Sequence, residues 1–295
     1  MAYFNFAAQL IYDIEKLEFS AADYSKFKFG ESQVAADFGK TLATSFIEKH
    51  QDLLLEKEEI VIISSPYNAI PTASFAMTHF FKKEINAFLF QHGKQAAMDS
   101  KIHRYKTYST DYGNLDFEAR KQLISTDKYH LDKAFLENRL CLFLDDVKIT
   151  GSHEYVIRQQ IEKHDLHGKG IFGFVYFAEL KNENVAPQFE NVLNYAYVKG
   201  IKEVVEIMKS PTFWFNTRVV KYILISQNTD IEYFIQHTEK EKIKSLVHWA
   251  IANNYHLMEE YQENLEKCLL TLNSGSVLNA PRVSEFFRVF ERSQS

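Results

Sequence analysis

The stretch Cys141–Glu154, with the sequence CLFLDDVKITGSHE, decides the predicted fold. Its first four residues, Cys141–Leu144, are apolar and predict a strand of a parallel sheet, because such strands are buried on both faces. Two carboxylates, Asp145 and Asp146, follow at the carboxyl end of this strand, where open α/β sheets bind their ligands. The sequence therefore predicts an α/β fold with a ligand site at this edge of the sheet.

A loop of small residues follows the acid pair and leads into a predicted helix, Glu154–Lys163. This loop contains Thr150, Gly151 and Ser152. A small-residue loop before a helix N-terminus presents backbone N–H groups and the positive end of the helix dipole, which together suit a phosphate. The whole stretch therefore predicts a sugar-phosphate site. Paired aspartates at a strand end also occur in receiver-like domains and in other doubly wound enzymes, where they bind a metal.

Upstream of this stretch, the hydrophobic pattern predicts a β-α-β unit. Apolar residues at helical spacing predict a helix over Glu31–Glu48, and the β-branched run Ile60–Ile63 predicts a strand. A second helix is predicted over Pro71–Lys83, with the proline near its first turn, and a second strand over Ile85–Phe90. Such crossovers are nearly always right-handed and parallel.

Between Gln91 and Asn138 the pattern breaks down into a polar stretch. A polar insertion of this length in a compact domain is usually a functional lid or a small subdomain. Ile171–Ala178 predicts a further strand, and beyond about Pro187 the strand signals mostly stop. Five helical segments are predicted there: Ile201–Met208, Arg218–Ile225, Ile231–Ile235, Ile243–Ile251 and Leu257–Leu272.

These patterns divide the chain into two predicted parts. An α/β domain is expected over residues 1–185, with a hood insertion at about 92–138, and a mainly helical C-terminal extension over 186–295. The extension is expected to pack on the sheet domain or on a second subunit, as in a homodimer. Its aromatic cluster Phe213–Phe215 is expected in a core or an interface.

Composition limits the classes of function. The chain has 295 residues, of which 46% are hydrophobic, and its net charge of −5 without a basic block argues against nucleic-acid binding. Two cysteines are too few for a disulfide framework. The segment Met1–Leu17 lacks the basic start of a signal peptide, and no apolar run is long enough to span a membrane. A cytoplasmic protein without a membrane partner is the expectation.

The stretch Cys141–Glu154 resembles the ribose-phosphate signature of type I phosphoribosyltransferases. That signature has four apolar residues, an acidic pair, two apolar residues and then roughly Thr-Thr-Gly-x-Thr. The matching positions are Asp145, Asp146, Val147, Thr150 and Gly151, and the departing positions are Lys148, Ile149 and His153. The resemblance implies a type I phosphoribosyltransferase-like parallel-sheet domain whose acid pair holds the ribose hydroxyls of phosphoribosyl pyrophosphate.

The resemblance also implies that the loop after the acid pair wraps the 5′-phosphate. The loop residues are Lys148, Ile149, Thr150, Gly151, Ser152 and His153. A hydrogen bond to a charged group contributes roughly 1.5–3 kcal/mol, so losing two hydroxyl donors would weaken phosphate binding on the order of 100-fold. A protonated His153 or the ammonium of Lys148 would supply replacement charge.

Several stretches together resemble a narrower group, the phosphoribosyltransferase-like proteins of tellurite-resistance-type operons. The resemblance covers about Phe27–Leu180 and implies phosphoribosyl chemistry in making a nucleoside-like small molecule. In that group the departures at Lys148, Ile149 and His153 belong to the subgroup. The stretches that carry the resemblance are Ser64–Tyr67, Ile70–Ala73, Asp111–Gly113 with Arg120, and Asp145–Glu154.

Three further stretches have counterparts in this family. By position, Ser64–Asn68 resembles the pyrophosphate loop, to which Ser65, Tyr67 and Asn68 would contribute, although an ordinary strand-to-helix turn is an equal alternative. Arg104 and Lys106 lie where related enzymes carry a mobile hood, and they would stabilise the departing pyrophosphate unless they only face solvent.

The third stretch is Phe27–Gly30, which resembles, over a short span, the Lys-x-Gly start near the base site of orotate-type enzymes. His153-Glu154 begins like a zinc helix, but Val156 and Ile157 stand where that motif needs its second histidine, which excludes zinc protease chemistry.

We therefore expect Mg²⁺-dependent transfer of ribose 5-phosphate from phosphoribosyl pyrophosphate, a small-molecule substrate, to an unknown acceptor. Asp145 and Asp146 would act in catalysis and as metal ligands, since Mg²⁺ binds through carboxylates, waters and substrate phosphates. Arg104 and Lys106 would be the further catalytic groups. The alternatives are a non-catalytic sensor of a phosphoribosyl ligand or nucleotide, favoured by the altered loops, and a receiver-like scaffold phosphorylated on an aspartate.

Overall fold

A computed structural model describes residues 3–104, 129–182, 185–186 and 188–273 of the chain. Its centre is a parallel sheet of five strands in the order β1-β7-β6-β2-β3. The strands of this sheet are β1 (Tyr3–Ile11), β2 (Ile60–Ser64), β3 (Met98–Ser100), β6 (Leu140–Lys148) and β7 (Ile171–Leu180). A short antiparallel ribbon pairs β4 (His103–Arg104) with β5 (Tyr129–His130). The predicted α/β class with a parallel sheet is confirmed.

Helices flank the sheet in the part of the chain that precedes the extension. Their bounds are α1 (Ala21–Lys28), α2 (Ser32–Glu56), α3 (Ala73–Gln91), α4 (Lys133–Leu136) and α5 (Ser152–Lys163). The predicted helices over Glu31–Glu48, Pro71–Lys83 and Glu154–Lys163 correspond to α2, α3 and α5.

The predicted strand over Ile85–Phe90 is wrong, because these residues continue α3 to Gln91. Met77, Phe81, Ile85 and Leu89 are buried at a spacing of four residues, which is the helical spacing of a single apolar face. The strand that pairs next to β2 is β3, which lies inside the stretch predicted as a polar insertion. The edge strand β1 was not predicted either. Most of its residues are only partly buried.

The strand of the acid pair is longer than predicted. β6 pairs with β7 from Leu140 as far as Lys148, but it pairs with β2 only as far as Leu144. Asp145 and Asp146 therefore lie within β6 and not after it. Because β2 ends at Ser64, the sheet opens on one side of the two carboxylates and leaves room for a cavity.

Alternate residues of β6 reach two different apolar clusters. Leu140, Leu142 and Leu144 pack in the cluster that contains α2 and α3, whereas Cys141 and Phe143 pack in the cluster on the other face, with α5. Successive side chains of a strand point to opposite faces, so this distribution follows from an uninterrupted apolar run. Both faces of the sheet are covered, as the sequence pattern predicts.

The C-terminal extension is helical and has its own apolar cluster. Its helices are α6 (Phe189–Asn194), α7 (Ile201–Met208), α8 (Thr217–Leu224), α9 (Asn228–His237), α10 (Lys240–Ala252) and α11 (Glu259–Asn273), with a 3₁₀ turn at Tyr255–Leu257. All five predicted helical segments have counterparts here.

The extension packs on the sheet domain of the same chain. Phe29 and Ile70 from the sheet domain belong to the apolar cluster of the extension. The N–H of Trp214 donates to the carbonyl of Gly30 at 2.9 Å, and Phe213 and Phe215 are partly buried against the same cluster. The homodimer stays a prediction. Within the described ranges, no helix has the length and apolar character needed to cross a membrane.

The helix α2 packs tightly against the backbone of α3 at Gly39, and this contact predicts a measurable cost for adding one methyl group. A Cβ at Gly39 would lie 2.6 Å from the carbonyl oxygen of Met77 and 2.9 Å from the backbone nitrogen of Phe81. Because backbone atoms cannot rotate away, we expect Gly39→Ala to lower the free energy of unfolding by about 1–3 kcal/mol in denaturant titrations. Thr44→Ala, at an exposed position of the same helix, is the control, with an expected change within about 0.5 kcal/mol. Equal effects of the two variants would contradict close packing at Gly39.

Candidate functional site

A cavity of about 240 Å³ lies at the carboxyl end of β2 and β6. The sheet domain contributes the acid pair, the loop before α5 and the start of α3, and the extension contributes one face of α8. The lining of the cavity includes Lys28, Ser65, Thr72, Ser74, Arg104, Tyr129, Asp145, Asp146, Lys148, Ile149, Thr150, Gly151, Ser152, His153, Glu154, Tyr176, Glu190, Tyr195, Thr217, Arg218, Lys221, Tyr222 and Ile225.

Asp145 is held by donors on both carboxylate oxygens. The Ser65 hydroxyl donates to Oδ1 at 2.7 Å, and His153 Nδ1 lies 2.9 Å from Oδ2. Burial opposes ionisation of this carboxyl, but the hydrogen bonds from His153 and Ser65, with the charge of Lys28, outweigh burial and lower its pKa to about 2. Asp145 is therefore ionised at neutral pH.

The Ser65 donor is itself positioned by a short chain of hydroxyl groups. Ser74 Oγ donates to Ser65 Oγ at 2.9 Å, and Thr72 Oγ1 lies 2.9 Å from Ser74 Oγ. The Thr78 hydroxyl donates to the Ser74 carbonyl at 2.7 Å, which joins this chain to the first turns of α3. The start of α3 therefore fixes the orientation of the Ser65 hydroxyl toward Asp145.

Asp146 has a different partner, the ammonium of Lys28. Lys28 is the last residue of α1, and its Nζ donates to Asp146 Oδ2 in an ion pair of which both side chains are largely buried. Burial raises the pKa of Asp146, the charge of Lys28 counteracts this, and the neighbouring Asp145 charge adds to the rise. The only sequence signal for Lys28 was the short Lys-x-Gly resemblance, and Lys28 was not among the predicted site residues.

The predicted phosphate loop reaches the N-terminus of α5 through a left-handed residue. Gly151, the residue before α5, has φ of +74°, a conformation that favours glycine. It has no side chain to cap the first-turn N–H groups of α5, and these groups have no acceptor within the helix itself. Thr150 Oγ1 and Ser152 Oγ lie 2.7 Å apart beside them. Ile149 packs on the apolar core and fixes the start of the loop.

Lys148 takes part in an ion-pair network at the base of this loop. Its Nζ lies 2.9 Å from Glu154 Oε2 and 3.2 Å from Glu179 Oε1. Glu154 also accepts from the hydroxyl of Tyr176 at 3.0 Å and from the Arg158 guanidinium at 2.7 Å. Burial opposes ionisation of Glu154, but Lys148 and Arg158 outweigh it and lower its pKa. The network ties the start of α5 to β6 and β7.

The remaining predicted site residues are divided between the cavity and other places. Arg104 lines the cavity next to its ribbon partner Tyr129, and Lys106 lies outside the described residues. Tyr67 and Asn68 contact Lys101 instead, whose Nζ lies 3.9 Å from the Tyr67 ring centroid and donates to the Asn68 carbonyl at 2.6 Å. Of the predicted pyrophosphate loop, Ser65 reaches the cavity, and Tyr67 and Asn68 are not among the lining residues.

The carboxylates of the acid pair are candidate ligands for a magnesium ion. Within the described ranges, no group of three or more His, Cys, Asp or Glu side chains is placed to hold a metal. The two carboxylates of Asp145 and Asp146 alone therefore do not make a closed metal site. They fit an ion that brings most of its ligands with it, as Mg²⁺ does when it binds through substrate phosphates, waters and one or two carboxylates.

The buried Lys28–Asp146 pair makes a pH-dependent prediction. Lys28→Met removes the cation and leaves a buried carboxylate without its partner, so we expect a loss of about 3 kcal/mol in the free energy of unfolding at neutral pH. Without Lys28 the folded-state pKa of Asp146 rises further above its unfolded value. The penalty is then present above that raised pKa and is relieved as the pH falls through it. Denaturant titrations of wild type and variant should therefore converge on acidification.

The control for Lys28→Met is Lys26→Met on the same helix. Lys26 also forms an ion pair, with Asp23 at 3.1 Å, but the two side chains keep 33% and 45% of their exposure, against 12% and 8% for Lys28 and Asp146. Its removal is expected to change the free energy of unfolding by no more than about 1 kcal/mol at any pH. A cost for Lys28→Met that stays constant with pH would show that lost packing of Lys28, and not the charge of Asp146, causes the loss of stability.

A search of the curated proteins found no match. Among solved structures, the hypoxanthine-guanine phosphoribosyltransferase of L. donovani is similar at 14% identity and a TM-score of 0.30, over 50% of this chain and 72% of that chain. A family model described as PRTase ComF-like matches residues 5–268, which include the sheet domain and most of the helical extension. The chain therefore belongs to the PRTase ComF-like family, within the type I phosphoribosyltransferase superfamily that its signature resembles.

Proposed function

We propose that the protein transfers ribose 5-phosphate from phosphoribosyl pyrophosphate to an acceptor, as a phosphoribosyltransferase that works with Mg²⁺. One observation carries the proposal: Asp145 and Asp146, each with its own partner, line the same cavity as the N-terminus of α5. This helix begins directly after Gly151. The carboxylates suit ribose hydroxyls, and the helix N-terminus suits a 5′-phosphate. The family supplies the reaction class, since its members are phosphoribosyltransferase-like.

In the proposed reaction, the bond between C1 of the ribose and the pyrophosphate oxygen breaks, and its electron pair leaves with pyrophosphate. A lone pair of the acceptor forms the new bond to C1, and any proton on the attacking atom passes to solvent. Asp145 and Asp146 accept hydrogen bonds from the ribose hydroxyls, and their negative charge stabilises the positive charge that develops at C1. Asp145 is suited to this because Ser65 and His153 keep it ionised.

The 5′-phosphate is assigned to the loop and to the first turn of α5. The N–H groups of that turn, the Thr150 and Ser152 hydroxyls and the His153 imidazole are the donors in this proposal. Arg104 is assigned to the departing pyrophosphate. Bound magnesium would neutralise charge on the pyrophosphate and so make it a better leaving group.

The proposal has a second candidate, a sensor that binds a phosphoribosyl ligand or nucleotide without turnover. Two observations favour it. The first is that Lys148 is already paired with Glu154 and Glu179. The second is that Ser64–Asn68, the stretch at the position of the pyrophosphate loop, contains no Arg or Lys. A sensor would bind the ribose 5-phosphate part and have no need for pyrophosphate.

Calorimetric titration with phosphoribosyl pyrophosphate, ribose 5-phosphate and pyrophosphate, each with and without Mg²⁺, tests the proposal. We expect metal-dependent binding of phosphoribosyl pyrophosphate that is tighter than binding of either fragment. Asp145→Asn with Asp146→Asn should weaken it about 100-fold or more, because charged hydrogen bonds to two hydroxyls are lost at roughly 1.5–3 kcal/mol each. Metal-independent binding of ribose 5-phosphate alone would favour the sensor, and no binding of any ligand would refute both.

Two controls accompany the double variant. Asp165→Asn removes an exposed carboxylate. The backbone at Asp165 is left-handed, which asparagine tolerates, and this variant should bind the ligands like the wild type. Because Asp146→Asn leaves Lys28 without its ion-pair partner, Asp145→Asn is measured alone as well, and thermal unfolding confirms that each variant is folded.

His153 provides a separate test of the phosphate subsite. His153→Gln removes an imidazole that stands where the family signature has a hydroxyl donor, and we expect ribose 5-phosphate affinity to fall about tenfold, the lower range for a charge-assisted hydrogen bond. Affinity for ribose without the phosphate should stay the same. His164→Gln, at the other end of α5, is the matched control. Equal losses for ribose and for ribose 5-phosphate would mean that His153 acts only by holding Asp145.

A further inference from the structure

The helix α8 of the extension borders the cavity with one face and the helical core with the other. Arg218, Lys221, Tyr222 and Ile225 follow the helical spacing of three and four residues and line the cavity. The opposite face, which includes Val219 and Ile223, is fully buried in the apolar cluster of the extension. The amphipathic pattern of α8 thus brings two basic residues to the edge of the proposed ribose site.

The position of α8 is fixed relative to the acid pair. Asn216, the buried N-cap of α8, accepts from the N–H of Val219 at 3.0 Å, and its side-chain amide donates to the carbonyl of Lys28 at 3.1 Å. Lys28 is the residue whose ammonium pairs with Asp146. Thr217 adds a hydrogen bond from its backbone N–H to the Pro71 carbonyl at 2.9 Å. The residue that holds the carboxylate therefore also holds the start of α8.

Two aromatic rings stand beside these basic residues in the cavity lining. Tyr195 and Tyr222 have ring centroids 6.3 Å apart, and Phe29 packs against both, at 5.7 Å and 5.2 Å. The Arg218 guanidinium lies 6.0 Å from the centroid of Tyr195. Burial, with smaller contributions from Tyr195, Asp230 and Glu203, raises the pKa of Tyr222 to about 12, so its hydroxyl is a neutral hydrogen-bond donor at neutral pH. Such a wall suits a planar ring, which aromatic side chains bind through stacked or edge-on contacts.

The charges on this side of the cavity favour an anion. In the extension, Arg218 and Lys221 carry two positive charges and Glu190 carries one negative charge, whereas the other acidic lining residues, Asp145, Asp146 and Glu154, belong to the sheet domain. Pyrophosphate is also an anion, but it has no ring and draws no benefit from Tyr195 and Tyr222. A planar ring with an acidic substituent uses both the aromatic wall and the cations.

We propose that the helical extension forms the acceptor subsite, and that the acceptor is a planar ring that carries an anionic group such as a carboxylate. This inference rests on the proposed phosphoribosyl transfer and deepens it. Tyr195 and Tyr222 contact the ring, and Arg218 and Lys221 bind the anionic group. The acceptor then lies between α8 and the ribose, which Asp145 and Asp146 hold from the opposite side.

The test measures binding of matched ring pairs to the full chain by calorimetry, with ribose 5-phosphate and Mg²⁺ present and absent. The probes are nicotinate against nicotinamide, benzoate against benzamide, and orotate against uracil. We expect at least one anionic member to bind tenfold or more tightly than its neutral partner. Arg218→Gln and Lys221→Gln should each weaken the anion tenfold or more and change binding of the neutral ring less than twofold. Lys244→Gln, at an exposed position of α10, is the matched control and should have no effect.

The outcomes separate this inference from the proposed function. If phosphoribosyl pyrophosphate binds and none of the ring anions does, the acceptor proposal is overturned while the proposed function stands. If Arg218→Gln and Lys221→Gln weaken binding of pyrophosphate instead, α8 serves the leaving group and the proposal is again overturned. If a ring anion binds through Arg218 and Lys221 but no phosphoribosyl ligand binds, the subsite stands as a ligand site and phosphoribosyl transfer falls. Thermal unfolding of each variant shows that a loss of binding is not a loss of fold.

Discussion

Two carboxylates that are adjacent in sequence are buried together in β6, and the rest of the site is arranged around this constraint. Like charges in a poorly solvated place oppose each other's ionisation, and each needs its own compensating partner. Asp145 has hydroxyl and imidazole donors, and Asp146 has the ammonium of Lys28. The pKa of Asp145 is accordingly lowered and that of Asp146 raised. Two side chains of the same type thus acquire different properties from their surroundings.

The sheet makes room for this pair, and the surrounding elements converge on it. β6 continues beside β7 past the point where β2 ends, so the carboxylates lie at an opening and not between three full strands. The end of α1, the residue after β2 and the start of α5 each supply one partner, and the start of α3 orients the second of these, Ser65. Asn216 then links the carbonyl of Lys28 to the N-cap of α8. This lysine therefore links the extension to the acid pair, and the family match runs through both parts of the chain.

Lys148 and His153, which depart from the phosphoribosyltransferase signature, each make specific contacts in and around the loop. Lys148 stands where the signature has an apolar residue, and its charge is compensated by Glu154 and Glu179 in a network with Arg158 and Tyr176. His153 stands where the signature has a hydroxyl, and it pairs with Asp145. A charge buried without such partners would destabilise the folded state. These residues are therefore accommodated by their neighbours and are not isolated replacements in an otherwise ordinary loop.

The part of the site within Cys141–Glu154 could be predicted from the sequence, because the strand, the acid pair, the loop and the start of the helix are contiguous there. The five helical segments of the extension were predicted as well, since their apolar residues recur at helical spacing. Ile85–Phe90 was misread as a strand, because a short apolar run does not reveal its period unless it is joined to the preceding turns. The edge strand β1 is buried on neither face completely and lacks a strong pattern.

The sequence by itself determined the fold class and the place of the acid pair, because both depend on residues close together along the chain. Only the tertiary structure decided which distant residues surround that pair. Lys28 lies 118 positions before Asp146, and Asn216 lies 188 positions after Lys28. Periodicity shows that a helix face is buried or exposed, but not which element it meets. For that reason the sequence predicted a helix over Arg218–Ile225, and only the folded chain shows that the basic face of this helix lines the cavity.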